Sequence, residues 1–156
     1  MKDTKIKKRE EGFTLIEILI VVGIMAVLAS VVLVAVNPAR QFKLARDAQR
    51  MSNVNSILNA VGQNLAEHHG LFVCGDDVAP SSLPPTPTEI GMSGFNLARC
   101  IVPAYISALP FDPSAPGAYY ASSSDYSTKY YISVDEQGHV TASSTGEITP
   151  SISVTR

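Results

Sequence analysis

The sequence predicts an α+β protein, a long N-terminal helix followed by a small antiparallel β-sheet head. Three observations carry this. From Ile18 to Val36 the chain reads ILIVVGIMAVLASVVLVAV, 19 residues without a charge. An amphipathic helical pattern then continues to His69. From Gly70 the composition turns to Pro, Gly, Ser and Thr, with short runs of β-branched and aromatic residues between turn signals.

The apolar run defines the first element. As a helix it spans about 28 Å, close to the thickness of a bilayer's hydrocarbon core. Secretory signal peptides have shorter apolar cores that end in a small-x-small cleavage site. Here the best such site, Val27-Leu28-Ala29, lies inside the run. The segment from about 18 to 36 therefore reads as a retained membrane helix. Five basic residues precede it (Lys2, Lys5, Lys7, Lys8, Arg9) against three acidic ones. That excess places the N-terminus in the cytoplasm and the remainder outside it. The asymmetry is small, because Arg40, Lys43, Arg46 and Arg50 follow on the other side.

Asn37-Pro38 interrupts the helical pattern. Proline removes a backbone donor inside a helix, yet Asn-Pro also suits a helix start. The pair can act as a kink or as the end of one helix and the start of another; a kink near Pro38, with the two axes roughly collinear, is expected. Beyond it Leu44, Ala48, Met51, Val54, Leu58, Val61 and Leu65 form one apolar stripe. Arg46, Asp47, Arg50, Asn53 and Gln63 fall on the face expected to meet solvent. Glu67-His68-His69-Gly70 is the stop signal, with Gly70 as left-handed cap. The helical stalk is assigned to residues 13–69, about 85 Å of helix.

The head is assigned to residues 70–156. LFVCGDDVAPSSLPPTPTEIGMSG reads as an irregular loop, and a short helix is expected around Leu97–Val102, ended by Pro103. YYAS, KYYISVD and HVTAS read as three short strands covering the outer half of the stripe, with SSDYST and DEQG between them. The Ser/Thr-rich tail from Thr145 is expected to be mobile. Cys74 and Cys100 lie beyond the span. Paired, they would close a loop of about 27 residues, roughly 3–4 kcal/mol in the chain-entropy model. Two buried free thiols are the alternative, and the spacing fits no CxxC motif.

Charge divides the same way. Arg40 to Arg50 holds four basic residues and one acidic, Asp47, whereas from Glu67 onward there are three basic and nine acidic residues. The stem reads as positive and the head as negative. Five tyrosines, at 119, 120, 126, 130 and 131, stand in this acidic head without a Lys/Arg groove, which disfavours nucleic acid. No metal or cofactor is expected. His68 and His69 point in different directions on a helix. Asp76-Asp77 and Asp135-Glu136 read as solvated turns rather than calcium sites. Ser93 in GMSG lacks the strand that a nucleophile elbow needs. There is no phosphate-binding loop, so energy from ATP must come through a partner.

One short stretch carries the functional signal. In GFTLIE, a Gly12-Phe13 junction stands before Glu17, a carboxylate costly to place near hydrocarbon. A short basic leader, Gly before Phe, Glu fifth after the junction and an uncharged span closely resemble the N-terminus of type IV prepilins and type II secretion pseudopilins. The likeness is sharp over roughly residues 8–36. It extends loosely through LARDAQRMSNVNSILNAV and LPFDP, which are similar to the G-type major pseudopilin and related pilins. Pro38 stands later than the stalk proline of many pilins.

The resemblance implies a pilin fold, a cytoplasmic leader over residues 1–12, and cleavage between Gly12 and Phe13 by a prepilin peptidase, followed by methylation of the new amine. The mature chain would hold seven basic and eleven acidic residues. Glu17 would pair with the N-terminal amine of a neighbouring subunit. An assembly ATPase and a platform protein would move subunits from the inner membrane into a helical filament of this chain and other pilins, extracellular or periplasmic. Arg40, Lys43, Arg46 and Arg50 would face anionic headgroups or acidic groups of neighbouring subunits. A pilus subunit is the preferred reading, with no enzymatic role. A major pseudopilin, a minor tip subunit and a membrane-anchored binding domain are the alternatives.

Overall fold

A computed structural model describes residues 12–75 and 80–156. The leader up to residue 11 and the Asp76-Asp77 pair lie outside the described residues. The chain divides into two compact units, Met1–Gln41 and Phe42–Arg156.

In the first unit Thr14 caps helix α1 (Leu15–Val36). The Thr14 hydroxyl accepts the Glu17 N–H, and the Glu17 carboxylate accepts the Thr14 N–H at 2.8 Å. This reciprocal capping box fixes where the helix begins. None of its 22 residues is buried. The helix is long and apolar enough to cross a membrane, with a mean hydropathy of 3.1. It stops at Asn37, whose left-handed φ of 46° asparagine tolerates better than most residues. Helix α2 (Pro38–Glu67) starts at once. Pro38 takes the first position, where no N–H is needed, and Asn37 Oδ1 accepts the Arg40 N–H at 3.2 Å. Where a kink was expected near Pro38, one helix ends at Asn37 and another starts at Pro38.

In the second unit the rest of α2 lies against an antiparallel sheet. After α2 come β1 (Thr88–Gly91), a short helix α3 (Ala98–Ile101), β2 (Tyr119–Ser122), β3 (Asp125–Val134), β4 (Val140–Thr145) and β5 (Ser151–Thr155). The order across the sheet is β1-β3-β4-β5, with β2 also pairing β3. Along β3, Tyr126, Thr128, Tyr130 and Ile132 alternate into the core. There they join Val54, Ile57, Leu58 and Val61 of α2, Leu97 and Ile101 around α3, and Val140 and Ala142 of β4. Tyr126, read as lying between strands, belongs to β3, and with Tyr130 it packs in the core.

Three further expectations are corrected. The sheet has five strands, not three. β1 falls in the segment read as irregular loop: only four residues long and close after Pro84, Pro85 and Pro87, it offers no periodicity, yet it pairs through Thr88↔Ile132 and Glu89↔Tyr131. The tail read as mobile is β5, in continuous register with β4 from Thr141↔Thr155 to Thr145↔Ser151. Its two apolar residues suffice to hold it, Ile152 buried and Val154 packed on the core.

The third correction concerns α2. Val54, Leu58 and Val61 are buried as the stripe predicted, but Leu44, Ala48 and Met51 are exposed. Asp47, Arg50 and Asn53, assigned to the solvent face, are buried instead.

Cys74 and Cys100 form the disulfide. Asn64, fully buried on α2, ties both flanks to the helix: its Nδ2 donates to Val73 O at 2.8 Å and Cys100 O at 3.3 Å, and its Oδ1 accepts the Val73 N–H. At the helix end His69 and Gly70 both take positive φ, 56° and 89°. Gly70 is left-handed as predicted.

Ile57 is wholly buried at the centre of this core. Ile57→Ala is expected to cost the head about 2–5 kcal/mol in denaturant-induced unfolding, by lost burial and the cavity left behind.

Candidate functional site

Two sites stand out, a charged clamp in the head and the start of α1. The clamp explains the buried face of α2. Arg50 is 3% exposed and gives both sides of its guanidinium to Asp112, with Nε to Oδ2 at 2.7 Å and Nη2 to Oδ1 at 2.9 Å. Nη1 also reaches Asp47 Oδ1 at 2.8 Å and Nη2 reaches Ser114 Oγ at 2.7 Å. Asp112 sits in the LPFDP stretch and accepts the N–H groups of Ser114 and Ala115 as well. One arginine therefore staples that loop to the helix.

Asp47 holds the β4–β5 loop. Its carboxylate accepts three successive backbone N–H groups, from Glu147, Ile148 and Thr149, at 2.8, 2.8 and 3.0 Å. Consecutive amides turned inward form an anion-binding nest. The loop needs Gly146, because a Cβ there would lie 2.1 Å from Thr149 O. Arg46, half-buried, closes the group with a two-pronged contact to Glu147. Asn53 continues the polar face by donating to Tyr130 Oη at 2.8 Å. No buried side-chain nitrogen or oxygen among the described residues lacks a partner. That completeness is what allows charge to be buried at all.

The electrostatics follow from the geometry. Burial pushes the Asp47 carboxyl up, but the amides of Glu147, Thr149 and Ile148, with Arg50, outweigh it and hold it well below the usual range. At Asp112 burial is likewise overcome, by Arg50 and the Ser114 and Ala115 amides. The bond from Arg46 holds Glu147 down at about 2, against burial and with help from Ser114 and Arg50.

Of the four basic stem residues, Arg40 and Lys43 are exposed, while Arg46 and Arg50 are neutralised within their own chain. Arg50 is thus unavailable to a neighbouring subunit or a headgroup. With Asp112 and Glu147 folded back onto it, the stem is not the positive face that sequence order suggested. The clamp was missed because its acids lie 62 and 97 residues beyond Arg50. The signal that pointed to it was Asp47, one acid among four bases and three residues before Arg50.

At the other site Gly12 and Phe13 are exposed, Phe13 at 86%. Among the described residues a Cβ on Gly12 would meet nothing within 4 Å, so no crowding by them calls for glycine there. Glu17 Oε2 is engaged by the Thr14 N–H and hydroxyl, both at 2.8 Å. In the single chain the carboxylate therefore caps its own helix. No group of three or more His, Cys, Asp or Glu side chains among the described residues is placed to hold a metal. His68 is turned to Asn64 O through Nδ1.

Residues 7–33 match the family described as the prokaryotic N-terminal methylation motif. The chain thus carries the signature of type IV prepilins and pseudopilins, and the α+β architecture of apolar helix and antiparallel sheet is pilin-like. No curated protein and no solved structure matches the chain.

The clamp makes the head acid-sensitive. Asp47, Asp112 and Glu147 have depressed folded pKa values, so their stabilisation is complete above the ordinary carboxylate range, near 4. It is lost as pH falls through the folded values. Thermal stability is expected to stay level from pH 7 to 5 and fall steeply between about pH 4 and 2. Asp112→Asn, which leaves Arg50 buried with one partner fewer, is expected to cost about 3–5 kcal/mol at pH 7 and to flatten that acid slope.

Proposed function

We propose that this chain is a structural subunit of a type IV pilus. It is cut by a prepilin peptidase between Gly12 and Phe13, methylated on the new amine, and polymerised through α1. The observation that carries this reading is a 22-residue apolar helix with none of its residues buried, opened by the methylation signature and a single carboxylate. In a bilayer that surface is solvated by lipid; outside one, only other chains can cover it.

Glu17 then has a role beyond capping. Cleavage would turn Phe13 into a cationic terminus, while Glu17 Oε1 makes no hydrogen bond among the described residues. A carboxylate and an amine in apolar surroundings are each costly alone, and pairing relieves both. Such a pair sets register between subunits more than it adds net stability. Gly12 offers the peptidase an unhindered, extended backbone. Arg40 and Lys43 would meet anionic headgroups before assembly. The assembly ATPase, the platform protein and companion pilins are the implied partners. The role is architectural, not catalytic.

A major pseudopilin of a type II secretion system is the second reading. Its support is the LARDAQR and LPFDP stretches, which supply the two halves of the Arg50–Asp112 clamp. Filaments sheared from the cell surface that contain this chain favour the pilus; confinement to a periplasmic complex favours the pseudopilin.

Mass spectrometry of the assembled protein is expected to find N-methyl-Phe13 as its first residue, and an intact Met1 would contradict the processing. Glu17→Ala is expected to leave cleavage and the head intact while reducing sedimentable filament at least tenfold. Normal assembly of that variant would favour a simple membrane anchor.

A further inference from the structure

A cavity of about 370 Å³ opens beside the clamp, where the 112–116 loop, β3 and the β4–β5 loop meet. Its charged walls are Arg50, Asp112, Lys129 and Glu147, two cations and two anions. Each is already partnered: Arg50 by Asp112 and Glu147, and Lys129 by Glu89 at 3.1 Å. The cavity therefore offers donors and acceptors without a net charge. Glu89 takes one of the three N–H groups that the Lys129 ammonium carries.

The strand beneath is strained where it forms this wall. Lys129 has a φ of 61°, in the left-handed region that a lysine rarely adopts. It stands in a bulge: β1 runs from Glu89 to Gly91 while β3 runs from Tyr131 to Ser127, so β3 carries two extra residues. The Thr128 hydroxyl holds the bulge, donating to Ile90 O at 2.8 Å and accepting the Tyr130 N–H at 3.1 Å. Thr128 O also accepts the Asp112 N–H, which ties the loop of the cavity to the strand. Bulges re-aim side chains, and a non-glycine residue at positive φ is a cost that folds keep at binding sites. The outcome here is that Lys129 and Tyr131 both line the cavity. Tyr131 is 37% exposed, and its hydroxyl makes no hydrogen bond among the described residues.

We propose that this cavity binds a neutral sugar unit of a glycan chain. A pyranose carries hydroxyls around its rim and C–H groups on its faces. The rim suits the partnered charges of Asp112 with Arg50 and Glu89 with Lys129, and a face suits the Tyr131 ring and Pro116. Cancelled charge gives an anion nothing to gain, and the two cations repel a metal ion. The uncharged surface also continues past the cavity. Tyr131 pairs with Ser143 and Ser143 with Ser153, while Thr145 on the cavity wall pairs with Ser151. Directly paired residues share a sheet face, so hydroxyls extend over β4 and β5 where further sugar units would lie. The site belongs to the head and does not depend on how α1 is used.

The test uses the full chain in lipid nanodiscs, with neutral hexasaccharides of glucose, mannose and N-acetylglucosamine as probes. Saturation-transfer NMR is expected to show binding of at least one of them, with a dissociation constant of about 1 mM. Tyr131→Ala is expected to weaken that binding at least tenfold, and Tyr131→Phe, which keeps the ring, less than threefold. Lys129→Gly relieves the left-handed backbone. It is expected to hold or raise the melting temperature of the head while weakening binding at least fivefold, and it decides the matter if Tyr131→Ala fails to fold. Tyr119→Ala, at an exposed tyrosine outside the cavity, is expected to leave binding unchanged. Absence of transfer to every neutral probe overturns the proposal. So does binding that survives Tyr131→Ala or Lys129→Gly, or a sulfated hexasaccharide that binds more tightly than the neutral ones.

Discussion

A helix that buries nothing sets the terms for the rest of this protein. Every side chain of α1 is turned outward, and the run holds one ionisable group, at its first turn. Apolar surface in water costs about 25 cal/mol per Å². Twenty-two residues of it are tolerable only in a bilayer or against other chains. The sequence spends its single charge where both settings can accept it, at a helix start with backbone donors in reach. On the proposed filament function, membrane residence and polymerisation are successive answers to one requirement.

The head meets a different constraint. It must attach to a helix whose other end is committed elsewhere, using a sheet of short strands. Apolar packing holds the outer half of α2, and the inner half is held by charge. Arg50 and Asp47 act as a pair of hooks, one on the LPFDP loop and one on the β4–β5 loop. The first hook holds a loop whose Leu109 also reaches the core, and the second holds a mostly polar turn. Buried ion pairs of this kind add little net stability over apolar packing, but losing one partner is expensive. The clamp therefore specifies how the loops dock. It also turns the polar residues of α2 inward and leaves the inner apolar residues outside.

The legible part of the sequence was whatever depends on local pattern. The uncharged run, the Gly-Phe junction, the Asn37-Pro38 break and the KYYISVD strand each rest on neighbours in the chain. The hidden part depended on distant partners. Asp47 and Arg50 look like solvent residues until Glu147 and Asp112 arrive from 100 and 62 residues away. β1 and β5 are too short and too polar to announce themselves, and they become strands because β3 and β4 offer free edges. At Glu17 a local and a distant role coexist: within the chain it closes a capping box with Thr14, while a pairing with another chain is a matter of assembly.

The most direct test of the central claim is a filament structure at side-chain resolution. It should show α1 enclosed by helices of neighbouring copies, with each Glu17 carboxylate within about 4 Å of the amine of an adjacent Phe13. A polymer held together by heads alone, with α1 bare or lipid-coated and Glu17 facing water, would contradict it.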